Sequence, residues 1–342
     1  MTSSTDTLGG SAARSVLVGL GGALPARAVT NAELAQSLDT SDEWIVSRTG
    51  IGVRHWVDAE TATSDLAVVA GRLALENADV DAVNAVIVAT TTPDHRCPAT
   101  APDVAARLGL GTVPAYDLSA VCSGFVYGLA QADALIRAGV AGRVLLIGAD
   151  VFSTLVHPSD RTNAVIFGDG AGAAVLELGG PADQGALGPF VLGSDGTSKD
   201  LIRVRSGGSR RRDTDATDRW FAMEGRAVFA QAVAAMVSSA RSALASADWT
   251  ASDIDRLIGH QANRRILSVV AAALGVPAEK AVLHLDRVGN TSAASIPLAL
   301  TAYASTFTPG ERVCVTAFGG GTTWGSGTLT WPSLRPPITN FV

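Results

Sequence analysis

The chain has 342 residues, 47% hydrophobic, 17% charged and 5% aromatic. That is enough apolar material for one large core or two medium ones, packed from small side chains. A net charge of −6 argues against nucleic acid as a partner, because phosphate binding needs a basic surface. Cys97, Cys122 and Cys314 form neither a disulfide framework nor a metal-ligand spacing, so the chain reads as reduced, cytoplasmic and metal-free.

Residues 1–13 are small and polar and are expected to be disordered. The segment from Arg14 superficially resembles a signal peptide, but Gly19, Gly21, Gly22 and Pro25 break it. It reads better as a strand over 15–20 ending in a glycine-rich turn. No run approaches a membrane-spanning length. Helices are predicted over 66–77 and 101–108. Strands are predicted over 85–91, 115–118 and 143–149, with 163–167 and 173–178 flanking a glycine cluster. Gly168, Gly170 and Gly172 do not make a nucleotide loop, since Ala173-Ala-Val-Leu-Glu-Leu reads as a strand; a tight turn is expected. Residues 203–218, with Arg210-Arg211-Arg212, read as a surface loop. The second half repeats the alternation: helix 225–245, strand 256–259, helix 263–274, strand 281–285, helix 292–304, and strands 312–317 and 327–331. Buried strands alternating with helices give an α/β class. The two glycine clusters that precede a final strand suggest a duplication, with halves 14–185 and 186–342.

Cys122 lies in Asp117-Leu-Ser-Ala-Val-Cys-Ser-Gly-Phe-Val-Tyr-Gly-Leu, between a strand ending near Leu118 and a helix running to about Ala138. Unpaired amides and the helix dipole there favour an anion, so the thiol pKa is expected to fall. On position alone a buried, inert cysteine is an equal alternative. His260 and Asn290 also stand where a strand gives way to a helix. Carboxyl ends of strands converge on one crevice in α/β sheets, so a shared site is expected. His284 alternates in its predicted strand and is expected to be structural.

At these residues the sequence resembles the β-ketoacyl-acyl carrier protein synthase III family of the thiolase-like superfamily. The resemblance rests on Ser41-Asp-Glu-Trp-Ile-Val-Ser-Arg-Thr-Gly-Ile, the Cys122 segment, Phe167-Gly-Asp-Gly-Ala-Gly-Ala, Gly259-His-Gln-Ala-Asn, Gly289-Asn-Thr-Ser-Ala-Ala-Ser and Phe318-Gly-Gly-Gly-Thr-Thr-Trp-Gly. It implies a five-layered αβαβα fold of two duplicated halves and a homodimer. It also implies a decarboxylative Claisen condensation of an acyl-CoA primer with malonyl-acyl carrier protein, initiating fatty-acid or polyketide synthesis without cofactor or metal.

By the same resemblance Cys122 carries the acyl group, and the amides of Cys122 and Gly320 form the oxyanion hole. His260 and Asn290 hydrogen-bond the enolate, and Phe318 lies by the malonyl carboxylate. Trp44, Arg48 and Arg161 meet the nucleotide end of CoA. Gly225, Phe229, Ala262 and Asn263 line the pantetheine tunnel. Arg264 and Arg265 dock the carrier protein. Thiolases need a second cysteine in the last glycine loop, which Gly319-Gly-Gly lacks.

Two departures stand out. Cys97 occupies a position where the family often has a bulky apolar residue reaching across the dimer, so primers larger than acetyl are expected. Ala230, Ala272 and Ala273 stand where basic docking residues are common, which points to a specialised carrier protein; Arg210–Arg212 read as a solvated loop. A non-condensing acyltransferase using the Cys122 acyl-enzyme is the alternative, disfavoured by Asn290. A non-catalytic partner subunit is disfavoured by the intact Cys122, His260 and Asn290.

Overall fold

The computed structural model describes residues 13–212 and 218–341; the expectation for 1–13 lies, apart from Ala13, outside the described residues. In chain order the main elements are β1 (Arg14–Pro25), α1 (Asp42–Thr49), α2 (Thr63–Ala78), β2 (Ala85–Ala89), α3 (Ala101–Arg107), β3 (Ala115–Leu118), α4 (Gly124–Arg137), β4 (Arg143–Asp150) and β5 (Gly170–Gly179). They continue with β6 (Leu187–Ser194), α5 (Gly225–Ser246), β7 (Arg256–Gly259), α6 (Arg264–Leu274), α7 (Ser295–Tyr303), β8 (Arg312–Gly319), β9 (Thr323–Thr330) and β10 (Ile338–Phe341).

One sheet runs β10-β1-β5-β4-β2-β3 and the other β7-β8-β9-β6. Alternation along the strands sorts their side chains into layers. Val144 and Leu146 of β4 join Ile87, Phe125, Leu129, Ile296, Leu300, Val313 and Val315 in a core between the sheets. Leu145 and Ile147 point the other way, onto Leu66 and Val104 of α2 and α3. Helices α5 and α6 cover the outer face of the second sheet through Met236, Ala240, Leu267 and Val270. The layers are therefore helices, sheet, the central pair α4 and α7, sheet, helices. Each fully buried Leu or Ile contributes roughly 2 kcal/mol. Gly225–Ser246 is long and apolar enough by composition to cross a membrane, but its Val228–Ala232–Met236 stripe is buried.

The pairing pattern repeats. In the first sheet β3, β2 and β4 run parallel, and β5 and β1 follow antiparallel. In the second, β7 and β8 run parallel, β9 and β6 follow antiparallel, and Ala281 bridges to Leu257 where β3 has its counterpart. The 3-10 turns before α4 and α7 each open on a left-handed residue, Val121 at φ 48° and Ser292 at φ 49°. The last strand, β10, pairs with β1 in the first sheet.

Several expected elements change. β1 does not turn at its glycines but runs on to Pro25, because a side chain at Gly19 or Gly21 would meet the backbone of α2 at 2.4–2.5 Å. The glycines let the helix lie on the strand. The 163–167 strand is a turn, and Gly170 and Gly172 belong to β5 rather than to a turn. A side chain at Gly168 would lie 2.2 Å from Val288 O, and one at Gly172 2.7 Å from Pro297, so this cluster brings the two halves together. The 281–285 strand reduces to the Ala281 bridge, followed by a helical turn at Leu285–Val288. β6, interrupted by Gly188, Pro189 and Gly193, carried no recognisable alternation. The base of the 203–218 loop is an antiparallel pair, Ile202–Val204 with Phe221–Met223. Arg211 pairs with Asp218, and residues 213–217 lie outside the described residues.

Gly148 shows how tightly the halves are apposed. A Cβ there would stand 2.4 Å from Ala293 O, and backbone cannot move aside as a side chain can. Gly148→Ala is expected to lower stability by about 3 kcal/mol, read as a fall in the thermal unfolding midpoint; an unchanged midpoint would contradict this packing.

Candidate active site

Cys122 sits in the 3-10 turn Val121–Ser123, two residues before the start of α4. Three contacts fix that turn to the last glycine loop. Ser123 Oγ donates to Thr323 O at 3.0 Å, and Thr323 Oγ1 donates to Ala120 O at 3.1 Å. Gly319 is held so close that a Cβ would lie 2.8 Å from the Cys122 amide. Gly320 lies against Val121 and Ile202.

His260 follows β7, its N–H donating to Thr316 O at 2.8 Å. Its Nδ1 lies 2.7 Å from Ser295 Oγ, which also accepts the Gln261 N–H at 3.3 Å. With the serine proton given to Nδ1, the ring proton belongs on Nε2. Burial pushes the imidazole down to about 3, so it is neutral at physiological pH.

Asn290 is held from the first half of the chain. Its N–H donates to Ile166 O at 2.9 Å, and its carbonyl accepts from Gly168 N at 3.0 Å. Its Oδ1 accepts the Ser292 N–H at 2.9 Å, which leaves Nδ2 as the donor facing the site. Arg54 braces this segment, its buried guanidinium donating to Val165 O at 2.9 Å, Asn31 Oδ1 at 2.7 Å and Val29 O at 3.1 Å. Desolvation lowers its pKa to about 10.

Cys122, His260, Asn290 and Phe318 line one largely apolar cavity together with Ala262, Val228, Ala232, Met236 and Ile266. One expectation fails here. The thiol is pushed up to about 12, not down. Burial is the largest cause; contacts with Ser292 and its own backbone N–H work against it, and the nearby Asp150 carboxylate adds to it. At this depth desolvation outweighs the first-turn amides.

Trp44, which is not among the residues lining this cavity, is flanked by the guanidinium groups of Arg161, 5.0 Å from its ring, and Arg48, at 5.6 Å. Arg161 also pairs with Asp39 at 2.8 Å. Asn263 caps α6 and donates to Arg48 O at 3.0 Å, tying α1 to α6. Gly225 is exposed. Phe229 does not line the thiol cavity; it lies under Arg265, one position round α5 from the stripe that does. Arg264 is held against Gly50. Cys97 is exposed and not among the residues lining its own chain's cavity. His284 is buried at a turn, edge-on to Tyr303 at 5.9 Å, in keeping with a structural role.

At the far end, Phe152 stacks on Phe167 at 4.2 Å, and Phe221 meets both rings edge-on at 5.2 and 5.0 Å. Val121, Phe152, Ile202 and Phe221 separate the thiol cavity from a wider one reaching Thr63, Thr92 and Arg96. Sequence reasoning missed Ser295, Ser292, Arg54, Asp150 and this aromatic wall. Both serines lay inside the quoted Gly289–Ser295 motif, which was their available signal.

The chain matches the family models for 3-oxoacyl-[acyl-carrier-protein] synthase III over residues 116–196 and for the C-terminal region of that enzyme over 244–331. It is 57% identical to a β-ketoacyl-[acyl-carrier-protein] synthase III of Streptomyces coelicolor, over 94% of this chain and 98% of that relative. The crystal structure of the corresponding Pseudomonas aeruginosa synthase superposes with a TM-score of 0.90 at 47% identity, covering 94% of this chain and all of that one. A priming β-ketosynthase of the R1128 polyketide pathway superposes with a TM-score of 0.88 at 34% identity, covering 95% and 97%.

Proposed function

We infer, for a chain that belongs to the 3-oxoacyl-[acyl-carrier-protein] synthase III family, that Cys122, His260 and Asn290 divide its reaction between them. The enzyme is an acyltransferase of the condensing type. It joins an acyl primer to malonyl-acyl carrier protein at the start of fatty-acid or polyketide synthesis. The observation that carries the division of labour is the convergence of a cysteine, a neutral histidine and an oriented amide on one apolar cavity.

Cys122 Sγ attacks the thioester carbonyl of acyl-CoA, and CoA leaves. The amides of Cys122 and Gly320 hold the tetrahedral oxyanion. Malonyl carrier protein then enters by the same mouth and loses CO2, which the apolar face of Phe318 favours because a carboxylate is poorly solvated there. His260 Nε2–H and Asn290 Nδ2–H donate to the enolate oxygen. Neither has to take a proton from carbon, which suits an imidazole held neutral by burial. The carbanion attacks the acyl-enzyme and expels the Cys122 thiolate.

Trp44 between Arg48 and Arg161 suits an adenine face with nearby phosphates. Ala262 and Asn263 flank the pantetheine arm, with Gly225 and Phe229 further out. Arg265, with Arg264 beside it, meets the acidic carrier. The proposal extends to a cytoplasmic homodimer in which the exposed Cys97 borders the pocket of a second copy.

The test is a panel of straight and branched acyl-CoAs with malonyl carrier protein, read by intact mass. An acyl adduct on Cys122 and a 3-ketoacyl carrier product are expected, with primers beyond acetyl accepted. No adduct from any acyl-CoA would defeat the proposal. Because Phe221 stands between the two cavities, Phe221→Ala is expected to shift preference towards longer chains, by roughly tenfold for each 1–2 methylenes gained. An unchanged chain-length profile would remove Phe221 from the primer wall.

A further inference from the structure

The resting nucleophile is a buried thiol, and its proton must go somewhere when sulfur attacks. His260 is a poor acceptor, being buried with no opposite charge to support an imidazolium. A buried carboxylate near Cys122 offers another route. Asp150 ends β4 fully buried, and its two oxygens are used unequally. Oδ1 accepts from Thr91 N at 2.7 Å, Thr92 N at 3.2 Å, and the hydroxyls of Thr90 and Thr92 at 3.2 Å each. Oδ2 accepts from Ala293 N at 3.1 Å and has capacity left for a proton.

Ser292 stands between this carboxylate and the thiol. Its hydroxyl bears electrostatically on both the Cys122 thiol and the Asp150 carboxylate, yet it is buried and makes no hydrogen bond in this structure. The backbone is held at φ 49°, a left-handed conformation unusual for serine. Two features keep it there: its N–H is tied to Asn290 Oδ1, and Ala293 is pressed against Gly148. A strained residue with an unpartnered hydroxyl, set between a nucleophile and a buried carboxylate, is arranged to pass a proton.

We propose that Ser292 relays the Cys122 thiol proton to Asp150 Oδ2 during acylation and returns it after condensation. This rests on the acyl-transfer reading above. In the first half the S–H proton passes to Ser292 Oγ as the serine proton passes to Asp150. The Cys122 sulfur bonds the acyl carbon, the C–S bond to CoA breaks, and the CoA thiolate leaves to take a proton from water. In the second half the malonyl carboxylate departs as CO2, the new C–C bond forms and the C–S bond to Cys122 breaks. The expelled thiolate then recovers the proton from Asp150 through Ser292. One solvent proton is consumed per turnover, and both side chains end as they began. Burial raises the Asp150 pKa, which makes it a better acceptor, and once protonated it no longer repels the thiolate.

Ser292→Ala and Ser292→Gly test this, and both keep the backbone N–H to Asn290; glycine also relaxes the left-handed φ. Single-turnover acylation by acyl-CoA, followed by intact mass across pH 6–9.5, is expected to be about 100-fold slower near neutrality in both. Their rates should rise with hydroxide where the parent is flat. Asp150→Asn should behave alike; if it fails to fold, the serine pair decides. The titratable groups around the path are Cys122, Asp150, His260 across the cavity, and Asp169, which feels the Asp150 charge. Asp169→Asn is therefore run beside them and should leave the parent profile in place.

Condensation from preformed acyl-enzyme should change little, since it expels a thiolate. Alkylation of Cys122 by iodoacetamide should show the same displacement towards high pH. Parent-like acylation in both serine variants, or a loss with an unaltered pH profile, overturns the relay. If no acyl-CoA acylates the parent, the acyl-transfer reading falls, and alkylation still decides the proton path.

Discussion

Replacing Cys122 with Ala is expected to abolish the acyl-enzyme mass and to lower 3-ketoacyl formation by roughly 10⁴-fold or more, the scale seen when a covalent nucleophile is removed. Cys122 holds the one thiol in the cavity shared with His260, Asn290 and Phe318, and the exposed Cys97 and strand-buried Cys314 lie elsewhere. His260 is positioned by Ser295 and Asn290 by Ser292 and the 166–168 segment. Neither depends on the sulfur, so the variant should still release CO2 slowly from malonyl carrier protein. Measuring acyl adduct and CO2 together checks this: loss of both would mean that the thiol also organises the decarboxylating groups, and a surviving adduct would place the nucleophile elsewhere.

His260→Ala should split the reaction the other way. Condensation is expected to fall by about 10²–10³-fold, the usual effect of deleting one donor to a developing oxyanion, while acylation of Cys122 stays within a few-fold. The reason is the protonation state. An imidazole pushed down to about 3 by burial does not accept a thiol proton at neutral pH, so removing it costs the enolate a donor and the thiol nothing. For the same reason the parent rate should show no inflection at the ordinary histidine value near ~6.5. Acylation and condensation measured separately decide the matter. Equal losses in both would make His260 the base for Cys122.

Much of this was legible in the chain itself. The strand over 115–118 and the strand over 256–259 stand where they were predicted, because short β-branched runs bounded by turn residues carry their own signal. Ala281–Leu285 carried a similar signal and became a bridge and a helical turn, because the Gln261 side chain intervenes: its Oε1 accepts the N–H groups of His284 and Leu285 at 2.7 and 3.2 Å. The glycines of β1 and of 168–172 look like turns in the sequence, since sequence shows that glycine is tolerated but not what approaches it. What approaches them is α2, Val288 and Pro297.

The α/β class, the motif order and the three residues that meet at the site are legible in residue type and local periodicity. The tertiary structure decided the electrostatics. A cysteine at a helix start looks activated, but burial reverses the sign, and desolvation depends on every layer packed above it. It also decided who supports whom: Ile166 and Gly168 orient Asn290 from more than a hundred residues away, and β4 presses Asp150 and Gly148 against the turn that holds Ser292. Such contacts arise where two sheets close on one pair of central helices, and no local pattern records them.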